Sequence, residues 1–215
     1  MRKRAMLMIS GGIDSAVMAY KMKAEGWDVF GVHVNSGQPN NIKDRRAVNT
    51  LSINLNIPIQ VIEIPGLVNS FKGYLHPDYE NYDQTCCETS RPFLAVTSVC
   101  GVYADITGFD TMAIGYLKEE LDEYESRYSN LDQVQELFAQ AVSVGRDKEF
   151  KIIMPLIQYS KRDIVRMAVD LGVPMETTWG CWDGRAFHCG ECAGCLARKA
   201  AFSAEGIEDP TIYYS

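Results

Sequence analysis

The chain alternates short runs of apolar and β-branched residues with longer segments in which apolar residues recur every three to four positions. The short runs predict buried strands at 5–9, 29–34, 59–64, 111–114 and 152–154. The longer segments predict helices at 14–25, 44–55, 92–106, 131–144 and 161–171, with Ser160 as the N-cap of the last. This alternation predicts an α/β fold, in which helices cover both faces of a doubly wound parallel five-stranded sheet.

Two stretches interrupt this rhythm. Residues 65–90 and 117–130 lack clear periodicity, and connections of that length inside a compact domain usually carry function. The second stretch contains an acidic run, Glu119, Glu120, Asp122, Glu123 and Glu125. A solvated helix face or loop is the simpler interpretation of that run.

Composition narrows the class of protein. The chain has 215 residues, of which 47% are hydrophobic and 23% charged, so it can bury a substantial core. We expect one α/β domain over 1–172 and a smaller C-terminal segment over 173–215. The net charge of −7 makes a long nucleic acid an unfavourable partner. No signal peptide or membrane-spanning run is evident, so the expected location is the cytoplasm.

The first predicted strand is followed by a phosphate-binding pattern, Ser10-Gly11-Gly12-Ile13-Asp14-Ser15. Two glycines let the backbone turn tightly before a helix whose first N–H groups carry a partial positive charge. An anion therefore fits there, and Asp14 could hold the magnesium ion that accompanies a phosphate. The alternative is an ordinary strand-to-helix turn capped by Ser10.

Four of the seven cysteines crowd near the C-terminus, at Cys181, Cys189, Cys192 and Cys195. In a reducing compartment this spacing favours a metal over disulfides, and four thiolates typically close a structural zinc site. An iron–sulfur cluster and replacement of one thiolate by His188 are the alternatives. Cys100 is expected in the core, and His33 is expected to be a buried strand residue.

The phosphate-binding pattern resembles the signature loop of the ATP pyrophosphatases. Together with the cysteine cluster it resembles the 7-cyano-7-deazaguanine synthase family, the QueC-like enzymes. Weaker similarities are Gly37-Gln38 after the second strand, Pro155-Leu156 with the downstream Lys161, and Arg91. The fold implied is adenine nucleotide α-hydrolase-like, that is, Rossmann-like.

The resemblance implies a reaction and roles for residues. The carboxylate of 7-carboxy-7-deazaguanine would be adenylated by ATP with release of pyrophosphate, and ammonia would give an amide, which a second ATP dehydrates to a nitrile. Asp14, Arg91 and Lys161 would be catalytic. ATP and Mg²⁺ would be bound by Ser10, Gly11, Gly12, Asp14, Ser15, Gly37 and Gln38. Zn²⁺ would be held by the four cysteines, and the family favours a homodimer.

Three loop segments depart from the family pattern: Asn35-Ser36, residues 85–92 and residues 116–120. A divergent member could stop at the amide or join the deazapurine carboxylate to another amine. That amine could belong to a protein, as in QueC-like enzymes of antiviral defence clusters.

Two functions of other classes remain open. Vicinal Cys86 and Cys87 could serve an RNA sulfur transferase, provided that a neighbouring charge lowers the pKa of a thiol. Two ordinary reduced cysteines are the simpler interpretation. A non-catalytic nucleotide-binding module would keep the phosphate loop and use the acidic run to bind a partner.

Overall fold

The computed structural model describes residues 3–67, 84–119, 136, 139–140 and 149–214, and only the backbone of residues 84–94. In this part of the chain five strands form one parallel sheet in the order β3-β2-β1-β4-β5. The strands are β1 (Arg4–Met8), β2 (Asp28–Asn35), β3 (Ile59–Glu63), β4 (Thr111–Ala113) and β5 (Lys151–Ile153). The predicted doubly wound α/β fold is confirmed.

Five α-helices lie within the described residues. They are α1 (Ile13–Ala24), α2 (Asn41–Leu55), α3 (Gln84–Ile106), α4 (Lys161–Asp170) and α5 (Ala193–Glu205), and a 3₁₀ turn covers Met175–Thr177. The helix predicted at 131–144 lies mostly outside the described residues. None of the helices in the described ranges is long and apolar enough to cross a membrane.

Helix α3 begins eight residues before the predicted start at Pro92. Proline is common in the first turn of a helix, which is why the sequence pattern placed the boundary there. In the structure the helix runs through Pro92, so residues 84–90 belong to it although their apolar pattern is weak. Cys86, Cys87 and Arg91 are therefore helical residues, and their side chains lie outside the described atoms.

The sheet separates two clusters of buried side chains. One face packs against α1, α2, α4 and α5 through residues such as Leu7, Val17 and Phe202. The other face packs against α3 through Met6, Met112 and Cys100. Cys100 is 1% exposed, and burial raises the pKa of its thiol to about 12, so the prediction of a core cysteine is confirmed.

The strand order places a topological switch point between β1 and β4. The chain leads from β1 to β2 on one side of this point and from β4 to β5 on the other, and such a divergence is expected to leave a crevice at the carboxyl edge of the sheet. The phosphate-binding pattern follows β1 directly, and Gly115 after β4 lies against the backbone of Asp14. Ligands of open α/β sheets bind in such a crevice.

Candidate functional site

The loop after β1 is folded around its own hydroxyl groups. The Ser10 N–H and hydroxyl donate to Ser15 Oγ at 3.3 and 3.2 Å, and Ser15 Oγ donates to the Gly12 carbonyl at 3.0 Å. Gly12 is the N-cap of α1 in an extended conformation and supplies no side-chain cap. The first turn of α1 therefore has N–H groups that a phosphate oxygen can accept from.

Gly11 is the residue of this loop that only glycine can occupy. Its φ is 93°, and a Cβ atom would lie 2.9 Å from the Asp44 carbonyl oxygen and 3.2 Å from the Asp44 Cα. The backbone thus adopts the left-handed region while pressed against the first turn of α2. The loop is shaped by α2 as well as by β1.

Lys161 and Asp14 meet at the start of α1. Lys161 Nζ donates to Asp14 Oδ1 and Oδ2 at 2.7 and 2.5 Å, although the two residues come from α4 and α1. Both side chains are about one quarter exposed, at 26% and 27%. Asp14 alone would repel a polyphosphate, and Lys161 brings the positive charge that offsets this repulsion.

Lys161 is placed by the start of α4. Ser160 and Asp163 form a reciprocal capping box, with Asp163 N–H donating to Ser160 Oγ at 3.2 Å and Ser160 N–H donating to Asp163 Oδ2 at 2.9 Å. The predicted N-cap is therefore confirmed. The backbone N–H of Lys161 also donates to Glu119 Oε1 at 3.0 Å, which ties the segment after β4 to the same corner.

Gly37 and Gln38 lie beside the loop, in the turn between β2 and α2. The φ of Gly37 is 86°, and a Cβ there would overlap the Pro65 carbonyl. Gln38 Oε1 accepts from the Ser36 N–H and hydroxyl, both at 2.9 Å, and Gln38 Nε2 donates to Asp44 Oδ2 at 3.2 Å. Gln38 thus donates a hydrogen bond to the Asp44 side chain, and the Asp44 backbone lies against Gly11.

Asp44 is a buried carboxylate that the sequence pattern did not single out. It is 6% exposed, and it accepts from Gln38 and from Asn40 Nδ2, the latter at 3.0 Å. Burial raises the pKa of Asp44 to about 7, against the lowering effect of these two hydrogen bonds. An Asp in the first turn of a helix is too common in sequences to have indicated this position.

His33 ties β2 to the end of β1. Its Nδ1 donates to the Ile9 carbonyl at 2.8 Å, one residue before the phosphate loop, and burial lowers the pKa of the imidazole. Nε2 is buried without a hydrogen-bond partner among the described atoms. His33 is 2% exposed, so the prediction of a buried strand residue is confirmed.

The four C-terminal cysteines converge. The Sγ atoms of Cys181, Cys189, Cys192 and Cys195 all lie within 4.8 Å of one another, and those of Cys189 and Cys195 are 3.8 Å apart. Thiolates at about 2.3 Å from one tetrahedral ion are about 3.8 Å apart, so the donor set fits a single zinc-sized ion. The cluster could hold a metal, as the sequence predicts.

The pKa of one of these thiols, that of Cys189, is lowered. Burial alone would raise the pKa of Cys189, but the backbone N–H groups of Glu191 and Cys192 donate to its sulfur and lower the pKa to about 7. Burial raises the pKa of Cys181 and of Cys195. Binding of a metal would therefore release protons from the more deeply buried thiols.

Helix α5 and the chain after it hold the cysteine segment in place. Arg198 is 3% exposed, and its guanidinium donates to Asp209, to Thr178 Oγ at 2.8 Å and to the Met175 carbonyl at 3.1 Å. Tyr213 donates its hydroxyl to Asp209 at 2.5 Å. Helix α5 was not predicted from the sequence; its signals are the buried Ala201 and Phe202 and Gly206 at its end.

Comparisons with known proteins bear on the family of this chain. A sequence model of the family "Queuosine biosynthesis protein QueC" matches residues 4–206. A 7-cyano-7-deazaguanine synthase of Sulfolobus acidocaldarius is 31% identical over 99% of this chain and 48% of its own length. The enzyme of that name from Nitratiruptor sp. is 30% identical over 99% of each chain. The chain therefore spans about half of the first relative and nearly all of the second.

Solved structures show the same fold. A U34-tRNA thiolase from Methanococcus maripaludis, solved with its [4Fe-4S] cluster, superposes with a TM-score of 0.56 at 18% identity, over 94% of this chain and 64% of that one. An NH₃-dependent NAD synthetase from Campylobacter jejuni superposes with a TM-score of 0.50 at 21% identity, over 79% and 64%. At these identities the likeness concerns the fold alone. The match of the family model over most of the sequence shows that this chain belongs to the QueC family.

Proposed function

We propose that the protein is an ATP-dependent ligase of the 7-cyano-7-deazaguanine synthase type. Its substrate would be a 7-deazapurine carboxylate, 7-carboxy-7-deazaguanine, which is adenylated with release of pyrophosphate and then attacked by ammonia or another amine. The observation that carries the proposal is the phosphate loop of a QueC-family chain, with an α1 N-terminus free of side-chain caps beside Lys161 and Asp14.

The residues of the loop would act on the pyrophosphate. N–H groups at the start of α1 and the hydroxyls of Ser10 and Ser15 would donate to its oxygens, which stabilises the charge that develops as the α,β bond breaks. Lys161 would add a positive charge, and Asp14 would hold Mg²⁺. This positioning would bring the carboxylate oxygen and the α-phosphorus together at the carboxyl edge of the sheet.

The cysteine cluster would hold zinc in a structural role. Four protein ligands leave no coordination position for a substrate, so the ion would stabilise the segment from Cys181 to Cys195. An iron–sulfur cluster distributes its thiolates over several irons, which the 3.8 Å separation of two sulfurs disfavours. A colourless protein with one zinc per chain supports zinc, and a brown protein with visible absorbance contradicts it.

Incubation with ATP, Mg²⁺, ammonia and 7-carboxy-7-deazaguanine, followed by mass spectrometry, tests the substrate. Amide, nitrile and unchanged acid are distinct outcomes. Pyrophosphate release that only another acid stimulates would retain the ATP chemistry and reject this substrate. Absence of any ATP cleavage across the acids and amines tried would favour a binding module.

The acceptor and the oligomer are separate parts of the proposal. If adenylation occurs but ammonia is not used, a protein amine as in a defence cluster becomes the acceptor to test, by mass shift of the candidate protein.

If Cys86→Ser/Cys87→Ser abolishes turnover while ATP still binds, RNA sulfur transfer is favoured instead. We expect a homodimer, which light scattering of the purified protein would detect.

A further inference from the structure

Trp179 lies between the phosphate loop and the first cysteine of the cluster. Its backbone N–H donates to the Gly11 carbonyl at 2.9 Å. Its indole Nε1 donates to the Cys181 carbonyl at 2.7 Å. One residue therefore joins the loop after β1 to the segment that carries the metal ligands, across a long separation in sequence.

Further contacts reinforce this junction. The Trp179 ring packs on His188, the residue before Cys189, with ring centroids 4.0 Å apart. Lys43 of α2 places Nζ 5.1 Å from the centre of the Trp179 ring and donates to the Ala186 carbonyl at 3.1 Å. The cysteine segment thus contacts α2 and the phosphate loop on both sides of Cys181.

The hydrogen bond from Trp179 sets the orientation of one peptide plane. The Gly11 carbonyl and the Gly12 N–H belong to the same planar trans peptide, in which they point in opposite directions. Gly12 is the N-cap of α1, and its N–H donates to Ser10 Oγ at 3.2 Å, beside the first turn where phosphate is expected. Because Gly11 has a glycine-only conformation, its peptide would rotate more easily without this bond. Fixing the carbonyl therefore fixes the direction of the N–H.

We propose that Trp179 is a positioning residue that couples the four-cysteine centre to the phosphate loop, so that metal and the pyrophosphate moiety of ATP each bind more tightly when the other is present. The inference rests on the proposed function, which places ATP at the loop and zinc at the cysteines. Coupling between two sites is reciprocal. One shared hydrogen bond corresponds to a coupling of about two- to tenfold.

Release of the metal from the zinc-loaded protein tests the coupling without measuring turnover. The protein is mixed with excess chromophoric zinc chelator, with and without a saturating α,β-methylene analogue of ATP with Mg²⁺, and the chelate is followed by absorbance. We expect the analogue to slow release about two- to tenfold. Equal rates, with analogue binding verified by calorimetry, would overturn the coupling. A wild-type protein that binds no analogue or no zinc would instead overturn the proposed function.

Two substitutions of Trp179 locate the coupling. Trp179→Ala removes the ring but keeps the backbone N–H, whereas Trp179→Pro removes both. We expect the analogue to slow zinc release in the alanine variant, which loses the indole contact with Cys181 but keeps the N–H that donates to Gly11 and the covalent chain to Cys181, and to have no such effect in the proline variant. Loss of the effect in both variants would reject the Gly11 hydrogen bond as the route. If the proline variant does not fold, the wild-type and alanine measurements still test the proposal. Coupling through the backbone N–H of residue 179 requires that the analogue also slow zinc release in the alanine variant.

Discussion

The ion pair between Lys161 and Asp14 is the residue-scale feature on which the proposed chemistry depends. Lys161 Nζ lies within 2.7 Å of both carboxylate oxygens and reaches the N-terminus of α1 from a different helix. A cation at this place neutralises Asp14 before ATP arrives and can then contact a phosphate as a point charge. The pattern of Pro155-Leu156 with a downstream lysine indicated the residue, but not its partner.

Replacing Lys161 with methionine should therefore impair catalysis more than folding. We expect kcat/KM for ATP cleavage to fall about 10²- to 10³-fold, because a charge that stabilises the transition state is lost. Steady-state kinetics of pyrophosphate release measure this effect. Lys151→Met, at an exposed site on β5, is the matched control and should leave kcat/KM unchanged. A loss below threefold for Lys161→Met would remove this residue from the mechanism.

Asp44 yields a prediction about pH. Its pKa is about 7 in the folded protein and ordinarily 3.8, so between about pH 4 and pH 7 the unfolded chain releases a proton that the folded chain keeps. The contribution of Asp44 to the free energy of unfolding therefore falls as the pH rises through this window. The full difference is on the order of 4 kcal/mol.

Asp44→Asn should flatten this pH dependence, because asparagine does not ionise. Urea denaturation of wild type and variant at pH 4.5, 6 and 8 measures the difference between their free energies of unfolding. Asp170→Asn, at an exposed site, is the control, and its free energy of unfolding should change with pH in parallel with that of the wild type. If the free energy of unfolding of Asp44→Asn also changes with pH in parallel with that of the wild type, Asp44 is not a buried acid of raised pKa.

At the scale of elements, the strands followed from the sequence, but the starts of α2 and α3 and the whole of α5 did not. Buried parallel strands appear as apolar runs, and the predicted strand bounds agree with the structure to about one residue. The predicted start of α3 was wrong because proline favours the first turn of a helix, whereas Pro92 lies inside this one. Helix α5 was missed because Gly194 and Cys195 near its start obscure the apolar pattern of Ala201 and Phe202.

The attachment of α5 through Arg198 should contribute strongly to the free energy of unfolding. Replacing Arg198 with methionine leaves Asp209, whose side chain is only 12% exposed, without its cation, and we expect a loss of about 3–5 kcal/mol in the free energy of unfolding. Chemical denaturation measures the loss. Arg46→Ala, at an exposed site on α2, should change the same quantity by less than about 0.5 kcal/mol. Similar small losses in both variants would contradict the role given to Arg198.

The cysteine segment is an element that we expect to depend on its metal. Cys192 is the N-cap of α5, so an ion at the cluster would fix the start of this helix. Cys192→Ser should lower both the zinc content and the melting temperature, measured by elemental analysis and by calorimetry. Ser203→Ala, exposed on the same helix, should alter neither. Full zinc content in Cys192→Ser would show that this sulfur is not a ligand.

At the scale of the whole molecule, the site is assembled from segments far apart in sequence. The phosphate loop, the first turn of α2, the start of α4 and Trp179 meet at the carboxyl edge of the sheet. Local patterns and family resemblance identified the loop, Lys161 and the cysteines. They could not identify Asp44 or Trp179, because burial of a carboxylate and a backbone hydrogen bond to Gly11 arise only from tertiary packing.

The central claim is that a carboxylate oxygen attacks the α-phosphorus of ATP. The most direct measurement uses 7-carboxy-7-deazaguanine labelled with ¹⁸O in its carboxyl group, together with ATP, Mg²⁺ and ammonia, and determines the label in the nucleotide product by mass spectrometry. Adenylation followed by displacement moves one carboxyl oxygen to the phosphate of AMP, and pyrophosphate remains unlabelled. We predict AMP that carries one ¹⁸O. Labelled inorganic phosphate together with ADP would contradict the account.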